Sequence, residues 1–239
     1  MKLLVIGGAG HVGRILQPAL QAEHDYTCFD RTRIEGLGDR SIVGDVGDTA
    51  AAEQAVHSME AVVYLAMGTR DGTAATCTDL DAAFNVNVRD AYRFFSVALN
   101  AKVRRYVYVS TLSVYAAVFD NLTIQSRVDE QIKPNAWSPY GLSKRLGETL
   151  CEAGAQQYTD ATIIALRLIR PCNEAQFAAP EAHRPRYGIG PNDLRRLFLA
   201  AICCSKPGAH IVQASGDLTN QDLSNARATK LLGWQPQGN

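Results

Sequence analysis

Apolar residues recur along this chain in short, nearly unbroken runs. Leu3–Gly7, Tyr26–Asp30, Ser41–Asp45, Ala61–Ala66, Arg105–Ser110, Ala161–Leu168 and His210–Ala214 read as strands. Runs without polar alternation are buried on both faces, as in a parallel sheet. Between several of them the spacing turns helical. Residues 11–22 set Val12, Ile15, Leu16 and Ala19 on one face; residues 86–99 do the same for Val86, Ala91, Phe94, Phe95 and Ala98. Residues 140–157 carry an apolar stripe of Leu142, Leu146, Leu150 and Ala153. Pro18, which lacks a donor N–H, predicts a kink in the first helix. Strand–helix alternation from the start implies right-handed βαβ units and an α/β, doubly wound parallel sheet with helices on both faces.

After Arg170 the pattern weakens. Pro171, Pro180, Pro185 and Pro191 fall within 171–192 and predict a loop or small lid. A helix returns over 193–204. A last one spans Asp222–Lys230, with Asp222 near its start. No repeat or low-complexity tract interrupts the chain.

Composition narrows the class. Hydrophobic residues make up 46% of 239, enough for one large α/β domain. Lys+Arg and Asp+Glu both number 24, with no basic stripe, so no nucleic-acid surface is expected. No segment approaches the roughly 18 apolar residues of a membrane span, and none is expected. The six cysteines contain no C-x-x-C pair, so no metal site is expected and they read as reduced thiols of a cytoplasmic protein.

The first chemical motif is Gly7-Gly8-Ala9-Gly10-His11-Val12-Gly13, spaced G-x-x-G-x-x-G between the first strand and first helix. Glycine permits the tight turn and the close approach of a pyrophosphate, and the helix N-terminus supplies free N–H groups and a favourable dipole. Asp30 ends the second strand, where a carboxylate can accept the adenosine ribose hydroxyls of NAD and repel the extra phosphate of NADP. Arg31 and Arg33 could pair with that phosphate, so NADP is the lesser expectation. The fold expected is therefore of Rossmann type. An NAD(P)-binding core over 1–170 is followed by a small substrate-binding portion, 171–239, interleaved with the core's last strand and helices.

The second motif is Ser138-Pro139-Tyr140-Gly141-Leu142-Ser143-Lys144. Ser138 suits a helix cap and Pro139 the first helical position. Tyr140 and Lys144 then share a face as i and i+4. A tyrosine is a poor base at neutral pH unless a neighbouring cation favours its phenolate. Lys144 and a nicotinamide cation would do so, and Lys144 can also hold the nicotinamide ribose. Third, the strand ending Val109-Ser110-Thr111-Leu112-Ser113 brings hydroxyls to the sheet edge, where open α/β sheets bind ligands.

With these residues in view, the chain resembles the extended short-chain dehydrogenase/reductase family, the NAD-dependent epimerase/dehydratases, along nearly its whole length. The resemblance rests on the glycine loop, Asp30, Gly44-Asp45-Val46, Tyr64-Leu65-Ala66, Asn85-Val86-Asn87, Ser110-Thr111 with Val114-Tyr115, Tyr140/Lys144, Leu166-Arg167 and the terminal Leu231–Pro236. It implies that Thr111 is the active-site hydroxyl, with Ser113 as alternative. It further implies that Asp45 and Val46 touch the adenine, that Ala66 and Met67 pass beneath the cofactor, and that Asn85 braces the site. Ser110 joins the cofactor set. The family often dimerises through the helices carrying Asn85 and Tyr140, implying a homodimer.

The chain departs from the family after Leu166-Arg167, where only 171–192 separate that segment from the next helix. The shortness is similar to the uronate dehydrogenase branch, which oxidises free sugar acids. Arg167, Arg170, His183, Arg184 and Arg186 lie in this region, and at least one is expected to grip an anionic substrate. The alternative is that most are surface charges and Arg167 is structural. Specificity is expected in 67–84 and 171–192. The expected reaction is Tyr-assisted hydride transfer on a sugar hydroxyl. Leu112 and Ser113 stand where a dehydratase needs an acid/base pair. Nucleotide-sugar epimerisation and non-catalytic redox sensing are the competing readings.

Overall fold

The computed structural model describes residues 1–68, 77–116 and 127–239. Seven parallel strands form one sheet: β1 Lys2–Ile6, β2 Asp25–Asp30, β3 Ser41–Val43, β4 Ala61–Tyr64, β5 Arg105–Thr111, β6 Thr162–Leu168 and β7 Gly208–Ala214. Their order is β3-β2-β1-β4-β5-β6-β7. All seven expected runs are strands. The order reverses between β1 and β4, which opens a crevice at their carboxyl ends.

Period-two strands divide their side chains between two cores. Leu3 and Val5 of β1 join one with Val63, Val107, Ile164 and Val212. Leu4 and Ile6 join the other with Val62, Tyr64, Tyr106 and Ile163. Helix α1 (His11–Glu23) covers the first face through Ile15, Leu16 and Leu20. It runs unbroken through Pro18. A proline in a helix interior costs about 3 kcal/mol. Burying each large apolar side chain contributes about 1.5–3 kcal/mol, so the three on α1 offset that cost. The second face carries α2 (Thr49–Val56) and α4 (Ala91–Asn100), and α3 (Cys77–Phe84) precedes α4 in the chain. Asp48 caps α2, its carboxylate accepting from Ala50 and Ala51 N–H. Between α3 and α4 the residues Asn85–Asp90 form a π-helical turn, whose Val86 and Asn87 carbonyls accept the Tyr64 and Tyr108 hydroxyls at 2.8 and 3.2 Å.

Helix α5 (Pro139–Gln157) starts as expected, with Ser138 capping Gly141 N–H and Pro139 in its first turn. Its buried face differs from expectation. Gly141, Ser143, Lys144, Gly147, Glu148 and Cys151 are buried, while Leu146 is exposed and Leu142 and Leu150 only half-buried. The reason is distance. A Cβ on Gly147 would lie 2.1 Å from the Tyr108 hydroxyl, and one on Gly154 2.0 Å from Phe95. The helix lies too close to the sheet and α4 for leucines.

Beyond β6 the expected loop contains a short helix, α6 (Glu174–Ala178). A capping box nucleates it: Asn173 Oδ1 accepts Gln176 N–H at 2.9 Å, and Gln176 Oε1 accepts Asn173 N–H at 3.0 Å. Then α7 (Pro191–Cys203) packs Leu194, Leu197, Phe198 and Ile202 on the first face. The last helix, α8 (Ala226–Leu232), begins four residues after Asp222. Asp222 instead lies in the preceding turn, where it accepts the Tyr187 hydroxyl. Asp193 of α7 is buried and holds the chain's last residues, accepting from the N–H groups of Gln237 and Gly238 at 2.9 Å each. β7, α7 and α8 complete the same sheet and core.

Candidate active site

A cleft of about 1050 Å³ runs along the carboxyl ends of the strands. At one end lies the glycine loop. Gly7 has φ +81°, and a Cβ there would meet Ala66 N at 2.7 Å. A Cβ on Gly13 would meet Gly8 O at 2.2 Å. Side chains at either position would push apart a loop that packs backbone on backbone. No side chain caps the first turn of α1, which leaves its N–H groups facing the cleft for an anion. Asp30 also lines the cleft. Its carboxylate is oriented by two backbone donors, Ala9 N–H and Thr32 N–H, both at 3.0 Å. The loop, the uncapped helix and the acidic strand end fit the pyrophosphate and adenosine ribose of a dinucleotide.

The other end holds the hydroxyl and amine groups. Thr111 is the last residue of β5; its hydroxyl donates to Ser113 Oγ at 3.1 Å and accepts Ser113 N–H at 3.1 Å. Tyr140 faces it from α5. Burial pushes the Tyr140 phenol up, and a hydrogen bond with the Thr111 hydroxyl opposes that rise. Lys144 is buried, and its ammonium donates to Val109 O at 2.9 Å. Burial pushes its pKa down to about 7.

The structure brings most of the predicted residues together. Gly7, Gly10, His11, Val12, Gly13, Asp30, Arg31, Asp45, Val46, Ala66, Met67, Ser110, Thr111, Ser113, Tyr140, Lys144 and Arg170 all line this cleft. His11 also bonds Pro171 O at 2.9 Å, tying the glycine loop to the segment after β6.

Three predicted residues stand elsewhere. Arg167 points into the protein, where its guanidinium pairs with Glu148 at 2.8 Å. Arg186 is outside the cleft lining; it pairs with Asp222 at 3.4 Å and lies over the Tyr187 ring. Asn85 begins the π turn and does not line the cleft. Asn87, two residues on, makes the brace instead. It donates to Ser143 Oγ at 3.0 Å, and Ser143 donates to Tyr140 O at 2.9 Å. The π turn sets Asn87 against α5. Of the other cations, Arg184 bonds Ala179 O and lies over Phe177, and His183 is exposed at a short 3-10 turn. Sequence reading missed Gln176, which enters the cleft because its capping box forms α6; the Asn173-x-x-Gln176 spacing was the available signal. Of the predicted specificity segment 67–84, residues 69–76 lie outside the described residues.

A parallel sheet reversing at β1/β4, a glycine loop under its crevice and a Tyr–Lys pair on the facing helix define a dinucleotide-dependent oxidoreductase of Rossmann type. The profile of the NAD dependent epimerase/dehydratase family matches residues 3–183, and the chain belongs to that family. It is 27% identical to L-arabinose 1-dehydrogenase (NAD(P)(+)) of Haloferax volcanii, an alignment covering 100% of this chain and 97% of the relative. Among solved structures it is similar to a short-chain dehydrogenase/reductase superfamily protein of Agrobacterium tumefaciens with bound NAD. That likeness has a TM-score of 0.82 and 22% identity, covering 98% of this chain and 92% of the other. A mutated uronate dehydrogenase is also similar, with a TM-score of 0.78 and 23% identity over 98% of this chain and 81% of the other. These structures share the fold.

Proposed function

We propose that this protein oxidises a hydroxyl of a free sugar, preferentially an anionic one such as a sugar acid, with NAD as oxidant and Tyr140 as base. The observation that carries the reading is the convergence of Tyr140, Lys144 and Thr111 at one end of a cleft whose other end is the glycine loop. When bound, NAD supplies the acceptor for the substrate's hydride and a positive charge beside the phenol. Thr111 holds the reacting oxygen, and Tyr140 as phenolate takes its proton. The Tyr140 phenol is pushed up in the protein alone, so base formation depends on nearby positive charge, to which the Lys144 ammonium contributes. Asp30, held by two amides, favours NAD over NADP.

The portion 171–239 supplies the substrate side. Arg170 is the exposed cation lining the cleft there, two residues beyond Leu168, the register partner of Thr111. It is the group assigned to a carboxylate. The dehydrogenase relatives support release of an oxidised sugar over return of the hydride. A homodimer across α4 and α5 accounts for the exposure of Tyr92 (57%) and Leu146 (38%) on those helices. The free thiols of Cys28, Cys151, Cys172, Cys203 and Cys204 suit a reducing cytoplasm. Among the described residues no helix is long and apolar enough to cross a membrane.

The test is NADH formation, followed by absorbance, on L-arabinose, glucuronate and UDP-glucose, with Tyr140→Phe alongside. Turnover on the sugar acid is expected. Tyr140→Phe should lower kcat by about 10² to 10⁴-fold while binding NAD normally. Wild-type turnover in that variant would remove Tyr140 from the chemistry. NAD binding without turnover on any of the sugars would favour a sensor.

A further inference from the structure

Behind the proposed catalytic residues lies a buried polar cluster that the mechanism above does not use. Glu148 stands one turn after Lys144 on α5 and is 5% exposed; Arg167 on β6 is 3% exposed. Arg167 donates to both carboxylate oxygens, Nε to Oε1 and Nη2 to Oε2, at 2.8 Å each. Oε1 also accepts the Ser110 hydroxyl at 2.6 Å. Arg167 Nη1 donates to the Tyr115 hydroxyl, which donates onward to Asp129 O at 2.9 Å.

Such a pair has little to do with net stability. Two buried charges lose about as much hydration as they gain in attraction, and a well-packed apolar pair often serves as well. What a two-pronged pair supplies is direction. Here the direction falls on the site. Three successive residues of β5 each meet a different residue of one face of α5. Val109 O accepts Lys144, Ser110 donates to Glu148, and Thr111 bonds Tyr140. Ser110 and Arg167 are register partners across β5 and β6, so the ion pair is anchored to the strand carrying Thr111.

We propose that Glu148, held by Arg167, is a positioning residue for the reaction: it sets the register of α5 on β5 that delivers Tyr140 to Thr111. The inference rests on the Tyr140/Lys144 mechanism. Glu148 also bears on the charge of its neighbour, because its carboxylate favours the Lys144 ammonium. The titratable and charged groups facing it are Lys144 and Cys151 on α5, Tyr108 on β5, Arg167 on β6 and Tyr115 after β5, with Glu130 beyond Arg167.

The test replaces the pair with apolar residues of similar size, Glu148→Leu with Arg167→Met. It is read beside Tyr140→Phe on the sugar with the highest turnover. The measurements are melting temperature, NAD affinity, and kcat and KM across pH. The folded double variant should keep NAD affinity within about threefold and lose about tenfold or more in kcat, since small misplacements of reacting groups are costly. Its alkaline limb should move to lower pH, because Lys144 loses the carboxylate that favours its charge. A folded double variant with wild-type kcat and an unmoved pH profile overturns the proposal. Should it fail to fold, Ser110→Ala decides, since it removes one hydrogen bond and leaves the ion pair. A kcat lowered about threefold or more at unchanged KM supports the proposal, and unchanged kcat overturns it. Activity in Tyr140→Phe would sink the mechanism and this proposal together. An inactive Tyr140→Phe beside a fully active Glu148 variant would sink this proposal alone.

Discussion

Lys144 is where stability and chemistry oppose one another most measurably. Its ammonium sits between α5 and β5, with Val109 O at 2.9 Å and the Tyr108 ring face at 5.0 Å. Burial pushes its pKa from 10.5 to about 7, against the weaker pull of Cys151 and Glu148. A tenfold change in proton affinity is about 1.4 kcal/mol, so the charged form is disfavoured by about 5 kcal/mol on folding without cofactor. The unfolded chain keeps this proton up to pH 10.5, and the folded chain releases it near pH 7. The penalty is therefore fully present below about pH 7 and fades as pH rises toward 10.5. Lys144→Met keeps the length of the side chain and removes the charge, at the loss of one charge-assisted hydrogen bond worth about 1.5–3 kcal/mol. The cofactor-free variant should gain about 2–3 kcal/mol at neutral pH, a melting temperature higher by about 4–10 °C for a chain of this size. Urea unfolding between about pH 6 and about pH 10 checks both the gain and its decline with pH. A variant no more stable than wild type at neutral pH, or a gain that does not shrink on the alkaline side, refutes the buried-ammonium argument. The same variant should be nearly inactive.

Other consequences follow from the geometry. Arg170→Ala should raise KM for glucuronate about tenfold or more, with little change for L-arabinose; equal effects on both sugars would remove Arg170 from anion recognition. Gly13→Ala places a Cβ 2.2 Å from Gly8 O. The loop must shift, and NAD affinity should fall about 10²-fold in a calorimetric titration, with undiminished affinity counting against the cradle. Asp193→Asn halves the acceptor capacity that receives the amides of Gln237 and Gly238. A loss of about 1–3 kcal/mol is expected, with faster amide exchange at 237–239; unchanged exchange would mean that the Asp193 carboxylate does not hold the tail.

By itself the sequence determined the sheet, because seven apolar runs without alternation have no other way to bury both faces. It also determined the glycine loop and the Tyr–Lys spacing, since both are local: a turn needing φ above zero and two side chains one helical turn apart. The tertiary structure decided which faces point where. The leucine stripe of α5 has the right period and lies outward, because Gly147 and Gly154 let the opposite face approach Tyr108 and Phe95 too closely for larger residues. A charge count cannot separate Arg167 from Arg170. One is taken inward by Glu148, nineteen residues away in sequence; the other stands at the edge of the cleft, where the backbone reaches φ +42° and its guanidinium donates to Arg186 O at 3.4 Å. Asn85 and Asn87 differ only through the π turn, whose carbonyls are held by Tyr64 and Tyr108 from neighbouring strands. Periodicity records how often a residue returns to one side of an element. Contacts between elements far apart in the chain settle what that side meets.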